Sequence, residues 1–106
     1  MNSNEICRAA LEKFGPEKQI RKCLEELGEL AVAVCHCYDG KDNVRHVAEE
    51  IADAGILMEQ MAILFDCRDL VDRQRQFKLE ALAGKIGVEE NHFREGTKMI
   101  EEVQGE

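Results

Sequence analysis

Tryptophan is absent from this chain, and tyrosine and proline each occur once. Aromatic residues make up only 5% of the sequence, and the β-branched residues do not alternate with polar ones, which argues against a β-sandwich or a mixed sheet. Positive charge is also scarce: 14 Lys and Arg against 22 Asp and Glu leave a formal net charge of -8. Without a basic stripe there is nothing to displace counterions along a duplex, so no grip on duplex nucleic acid is expected. Long apolar runs are missing as well. Asp53, Glu59 and Gln60 break up the longest one, and no membrane-spanning segment is expected.

The cysteines are Cys7, Cys23, Cys35, Cys37 and Cys67, an odd set with no secretory signal ahead of it. This fits reduced thiols in a cytoplasmic protein and implies no disulfide framework. Cys35-His36-Cys37 invites a zinc reading, but alternate residues of a helix point to nearly opposite sides and cannot readily clasp one ion. With 106 residues the chain suits one domain with a modest core of three or four helices.

Helical periodicity and its punctuation are present. Ile6, Cys7, Ala10, Leu11 and Phe14 recur at helical spacing from Ser3 to Phe14, and Gly15-Pro16 closes that segment. Proline suits the first turn of a new helix and Glu17 its positive end, so a second helix should run from there to about Tyr38. Asp39-Gly40-Lys41-Asp42-Asn43 reads as a turn, with Asp42 or Asn43 capping a third helix that runs to about Phe65. Asp66, with Asp69 three residues on, resembles the start of a fourth helix near Arg68 to Ile86, and Gly87 resembles its stop. The fold class is all-α, a bundle of about four helices with its core over 14–86. The polar, acidic segment 88–106 is expected to pack loosely or to depend on a partner.

Two acidic pairs stand out. Glu26 and Glu29 lie one turn apart, as do Glu50 and Asp53, with twenty residues between the pairs. If the two helices pack antiparallel, four carboxylates converge, the hard-oxygen set that Mg²⁺ or Mn²⁺ prefers and that a triphosphate-handling site needs. Both pairs have apolar settings: Glu50 and Asp53 share a face with Ala54, Leu57 and Met61, and Glu26 is flanked by Leu30, Ala33 and Cys37. Between Ile51 and Phe65 the polar side chains are Asp53, Glu59 and Gln60, so Asp53 is expected to interrupt a helix buried on most sides. A divalent cation removes most of the penalty of burying a carboxylate.

Glu26-x-x-Glu29, the spacer, and then Glu50-x-x-Asp53 resemble the signature of the MazG-like, all-α nucleoside triphosphate pyrophosphohydrolases. Lys22-Cys23-Leu24-Glu25-Glu26-Leu27-Gly28-Glu29-Leu30 looks like the first long helix of that family and Glu49-Glu50-Ile51-Ala52-Asp53 like its second. Phe77-Lys78-Leu79-Glu80-Ala81-Leu82 is similar to the closing helix of small, phage-type members. The resemblance implies a helical bundle assembled as a homodimer or homotetramer. It also implies Mg²⁺ held by Glu26, Glu29, Glu50 and Asp53, and cleavage of (d)NTP to (d)NMP and pyrophosphate by water. Lys22 and His46, each one turn ahead of an acid, are candidates to touch phosphate, as are Lys78 and Arg75 on the fourth helix.

Many relatives stack the base on tryptophan, which here would fall to Tyr38, Phe14, Phe65 or Phe77. Phosphoribosyl-ATP pyrophosphohydrolase shares the acid layout, but Ala54-Gly55-Ile56-Leu57-Met58 does not look like its tyrosine-histidine continuation. Two alternatives stand beside the enzyme: a catalytically weak nucleotide-binding or regulatory module on the same scaffold, and a structural helical homodimer whose acids are surface or interface charges.

Overall fold

The computed structural model describes residues 1–87, which form four α-helices and no strand. These are α1 (Ser3–Phe14), α2 (Pro16–Tyr38), α3 (Val44–Leu64) and α4 (Arg68–Lys85). The all-α expectation is met among the described residues; segment 88–106 lies outside them. Among the described residues the chain divides into two units, Met1–Arg68 and a second that begins at Asp69.

In the first unit, α2 and α3 make the most extensive pairing, and α1 lies against both. The local chemistry accounts for the boundaries. Asn2 caps α1 by accepting from the Glu5 N–H at 2.8 Å, and Asn43 caps α3 by accepting from the His46 N–H at 3.0 Å. Gly15 ends α1 and precedes Pro16, the first residue of α2, so two long helices meet with no intervening loop. Behind α2, the Gly40 N–H bonds to the Cys37 carbonyl at 3.1 Å and the Lys41 N–H to the His36 carbonyl at 2.8 Å. This double closure needs a left-handed residue, and Gly40 supplies it with φ 75°.

The end of α3 repeats this geometry without a glycine. The Asp66 N–H bonds to the Ile63 carbonyl at 3.0 Å and the Cys67 N–H to the Ala62 carbonyl at 2.9 Å, with Asp66 at φ 51°. Asp66 therefore terminates α3 and does not cap α4. Its proximity to Asp69 resembles a helix start, but a left-handed backbone is incompatible with the extended conformation of an N-cap.

The short turn makes α2 and α3 antiparallel, so Gln19 meets Gln60 at one end and Glu26 meets Glu50 farther along. Cys7, Cys23, Ala33, Ala54 and Leu57 form the buried apolar core. Gln19 and Gln60 are buried within the same unit and satisfy each other, Nε2 of Gln19 donating to Oε1 of Gln60 at 2.8 Å. On α1, Ser3 donates to Glu59 at 3.0 Å, and burial, followed by the Glu59 charge, pushes the Cys7 thiol above its ordinary range. The core is narrower than the apolar pattern of α3 suggests, because Ile51, Ile56, Met58 and Phe65 are exposed. No described helix is long and apolar enough to cross a membrane.

In the second unit, α4 carries no buried residue and displays Leu70, Val71, Phe77, Leu79 and Leu82 among its charges. Gly87 follows its last turn at φ 63°.

Candidate functional site

Helix periodicity turns Glu26 of α2 and Glu50 of α3 inward, onto the faces that also carry Ala33, Ala54 and Leu57. Glu26 is 6% exposed and Glu50 is 9% exposed. Glu29, one turn beyond Glu26, reaches the same place from the exposed rim of α2. One carboxylate oxygen from each of Glu26, Glu29 and Glu50 lies within 4.8 Å of the other two. Asp53 does not join this group. It is exposed on α3, contrary to the expectation of a buried interruption, because the faces of α3 that carry Ile51 and Ile56 are themselves open.

Each buried glutamate has one oxygen engaged and one idle. Lys22 Nζ lies 3.3 Å from Oε1 of Glu26, and His46 Nε2 lies 3.3 Å from Oε1 of Glu50. The Oε2 atoms of both glutamates are buried without a hydrogen-bond partner. A buried acceptor left unsatisfied is unfavourable, and two of them beside a third carboxylate are a donor set that a hard divalent cation would satisfy. The residues present therefore fit such a cation.

The surrounding electrostatics reflect the crowding. The Glu26 charge, with partial desolvation and the Glu50 charge added, raises the Glu29 carboxyl above its ordinary value. The Lys22 ammonium is raised by its hydrogen bond to Glu26. His46 is held at both ends: Nδ1–H donates to Asp42 while Nε2 faces Glu50. The hydrogen bond to Asp42 is the main reason its affinity for a proton is raised, and the same bond lowers Asp42.

An open cleft of about 530 Å³ adjoins the glutamates, lined by Glu25, Gly28, Glu29, Val32, His46 and Glu50. Lys22 and His46, expected at the site, stand beside it as ion-pair partners of its acids. Lys78 and Arg75 are exposed on α4, in the second unit. The aromatic candidates Tyr38, Phe14, Phe65 and Phe77 are all exposed, and none lines the cleft.

Asp42 was not legible as a site residue. It precedes the Asn43 cap, outside α3, so helical spacing alone does not place it against His46. Gly28 and Val32 gave no chemical signal in the sequence, being apolar positions on a long helix. No protein-family model, curated protein or solved structure matches this chain.

Proposed function

We propose that this chain is a MazG-like, metal-dependent nucleotide pyrophosphohydrolase that cleaves (d)NTP to (d)NMP and pyrophosphate, with Mg²⁺ or Mn²⁺ as its cation. The observation that carries this reading is the convergence of three glutamate oxygens within 4.8 Å, with a buried, partnerless oxygen on two of those residues. Glu26, Glu29 and Glu50 would hold the ion. Asp53 is the fourth acid of the resemblance, but it lies outside the trio, and the proposal rests on the three glutamates.

A divalent cation held there would offset the polyphosphate charge and polarise its phosphorus–oxygen bonds. The chain's own groups supply the rest. One carboxylate oxygen of Glu29 or Glu26 that does not hold the ion could orient the attacking water and accept its proton, and Glu29 stands exposed at the cleft. Water oxygen bonds to the α-phosphorus, the bond from that phosphorus to the bridging oxygen breaks, and pyrophosphate departs with the bridging oxygen. Lys22, whose ammonium has N–H groups beyond the one facing Glu26, could donate to phosphate oxygens beside the acids, and Nε2 of His46 could do so in exchange for its contact with Glu50. In this reading the enzyme is cytoplasmic and works as a homodimer or homotetramer, which would cover exposed Leu24, Val34, Ile51, Ile56 and Met58.

One observation favours a second reading, a sensing or purely structural helical module. Glu26 and Glu50 each already have a cationic neighbour one turn earlier, which offsets part of their charge without a metal. Pyrophosphate release from a panel of canonical and modified (d)NTPs with Mg²⁺ or Mn²⁺ separates the two. The enzyme reading expects matched monophosphate and pyrophosphate, with turnover lowered on the order of 100-fold or more in Glu50→Gln. A folded, metal-supplied protein that is silent across the panel belongs to the second reading.

A further inference from the structure

Asp42, His46 and Glu50 follow one another at four-residue spacing where α3 begins. Glu50, 9% exposed, lines the cleft and keeps Oε2 buried without a partner, while its Oε1 lies 3.3 Å from Nε2 of His46. Nδ1 of the same ring donates to Oδ2 of Asp42, and the other Asp42 oxygen accepts from the Asn43 N–H at 2.8 Å. Both ring nitrogens and both Asp42 oxygens are therefore engaged, and the orientation of the imidazole is set from outside the helix.

Helix capping does not call for this arrangement, because Asn43 already accepts from the His46 backbone N–H at 3.0 Å. Nor does it resemble the ion pair beside it. Arg45 and Glu49, at the same spacing one residue earlier, lie 3.5 Å apart with side chains 89% and 60% exposed, an ordinary solvated pair. The pair of His46 and Glu50 differs on two counts: its carboxylate is buried with an idle oxygen, and its cation is backed by a second carboxylate. The backing matters beside a divalent cation. A lone imidazolium next to a metal ligand repels the ion, whereas an imidazolium paired with Asp42 carries no net charge and still offers an N–H to Glu50.

Building on the metal site of the reading above, we propose that Asp42 and His46 are positioning residues for Glu50. The Nε2–H of His46 holds Oε1, which leaves Oε2 for the ion, and Asp42 both fixes the ring and cancels its charge. A carboxylate already anchored by one oxygen loses little freedom on coordination, so the ion meets a ligand that is held in place beforehand. In this assignment His46 keeps its contact with Glu50 when the ion is bound, and the donor to phosphate is Lys22.

The test titrates Mn²⁺ into the metal-free full chain by calorimetry. His46→Ala is expected to weaken Mn²⁺ binding on the order of tenfold or more. His46→Gln, whose side-chain amide can place an N–H near the position of Nε2, should restore most of that loss. Asp42→Asn should weaken Mn²⁺ binding when His46 is present and change nothing when residue 46 is glutamine, a coupling that a merely structural role of Asp42 does not produce. Unchanged or tighter Mn²⁺ binding in folded His46→Ala overturns the proposal, the tighter case meaning that the ring competes with the ion for Glu50. So do equal losses in His46→Ala and His46→Gln, or an Asp42→Asn loss that persists in the His46→Gln background. If His46→Ala does not fold, the His46→Gln and Asp42→Asn combination decides alone. Wild type that binds Mn²⁺ with His46→Ala unaffected refutes the positioning role and spares the metal site, whereas wild type that binds no Mn²⁺ refutes both.

Discussion

His46 is flanked by two carboxylates, Asp42 on Nδ1 and Glu50 on Nε2, and a neutral imidazole can donate to only one of them. The metal-free protein therefore favours the imidazolium, consistent with its raised proton affinity. The linkage has a definite sign. The His46 contribution to stability is fully present below the ordinary histidine value of 6.5 and is lost as pH rises through the raised folded value. The Asp42 contribution is present above the ordinary aspartate value of 3.8 and is lost as pH falls through the lowered folded value. The Tm deficit of Asp42→Asn relative to wild type, measured without metal, should accordingly be largest between pH 3.8 and 6.5 and shrink on either side. A deficit that does not vary with pH would mean that Asp42 does not act through His46.

At the scale of the element, the four helices follow closely from their punctuation. Pro16 opens α2, Gly40 closes it, and Asn43 opens α3, because each residue has a backbone or side-chain property that the adjoining position requires. Asp66 is the exception. Sequence reading places it at the start of α4, yet it adopts the left-handed backbone that ends α3, a conformation that favours glycine by about 1 kcal/mol or more. Replacing it with glycine is expected to stabilise the first unit, partly offset by greater chain entropy in the unfolded state. Urea denaturation of Asp66→Gly should show a higher midpoint with an unchanged slope; a lower midpoint would mean that the aspartate side chain contributes more than its backbone strain costs.

For the whole molecule, the core is small for the apolar content of its helices. Among the described residues, Cys7, Cys23, Ala33, Ala54 and Leu57 are its buried apolar members, while Leu24, Ile51, Ile56 and Met58 face outward. If the glutamate trio binds metal, ligand linkage raises stability by about 2.7 kcal/mol at a hundredfold excess over Kd, a Tm gain on the order of 10 °C. Thermal unfolding with and without Mn²⁺ should show this gain in wild type and little of it in Glu50→Gln, and equal curves would remove the metal site. Light scattering on the same samples should give at least a dimer at micromolar concentration, and a monomer would leave the exposed apolar side chains unexplained by self-association.

The sequence by itself determined the helices, because propensity, capping and periodicity act within a few residues of chain. It also determined that Glu26 and Glu50 lie on inward faces, since Ala33, Ala54 and Leu57 share those faces at helical spacing. Tertiary structure decided which acids meet. The register of α2 against α3 brings Glu26, Glu29 and Glu50 together and leaves Asp53 in solvent, although Asp53 has the same one-turn relation to Glu50 that Glu29 has to Glu26. The physical reason is that periodicity fixes a direction around one helix axis, whereas convergence depends on the rotation and offset of two helices, which long-range packing sets.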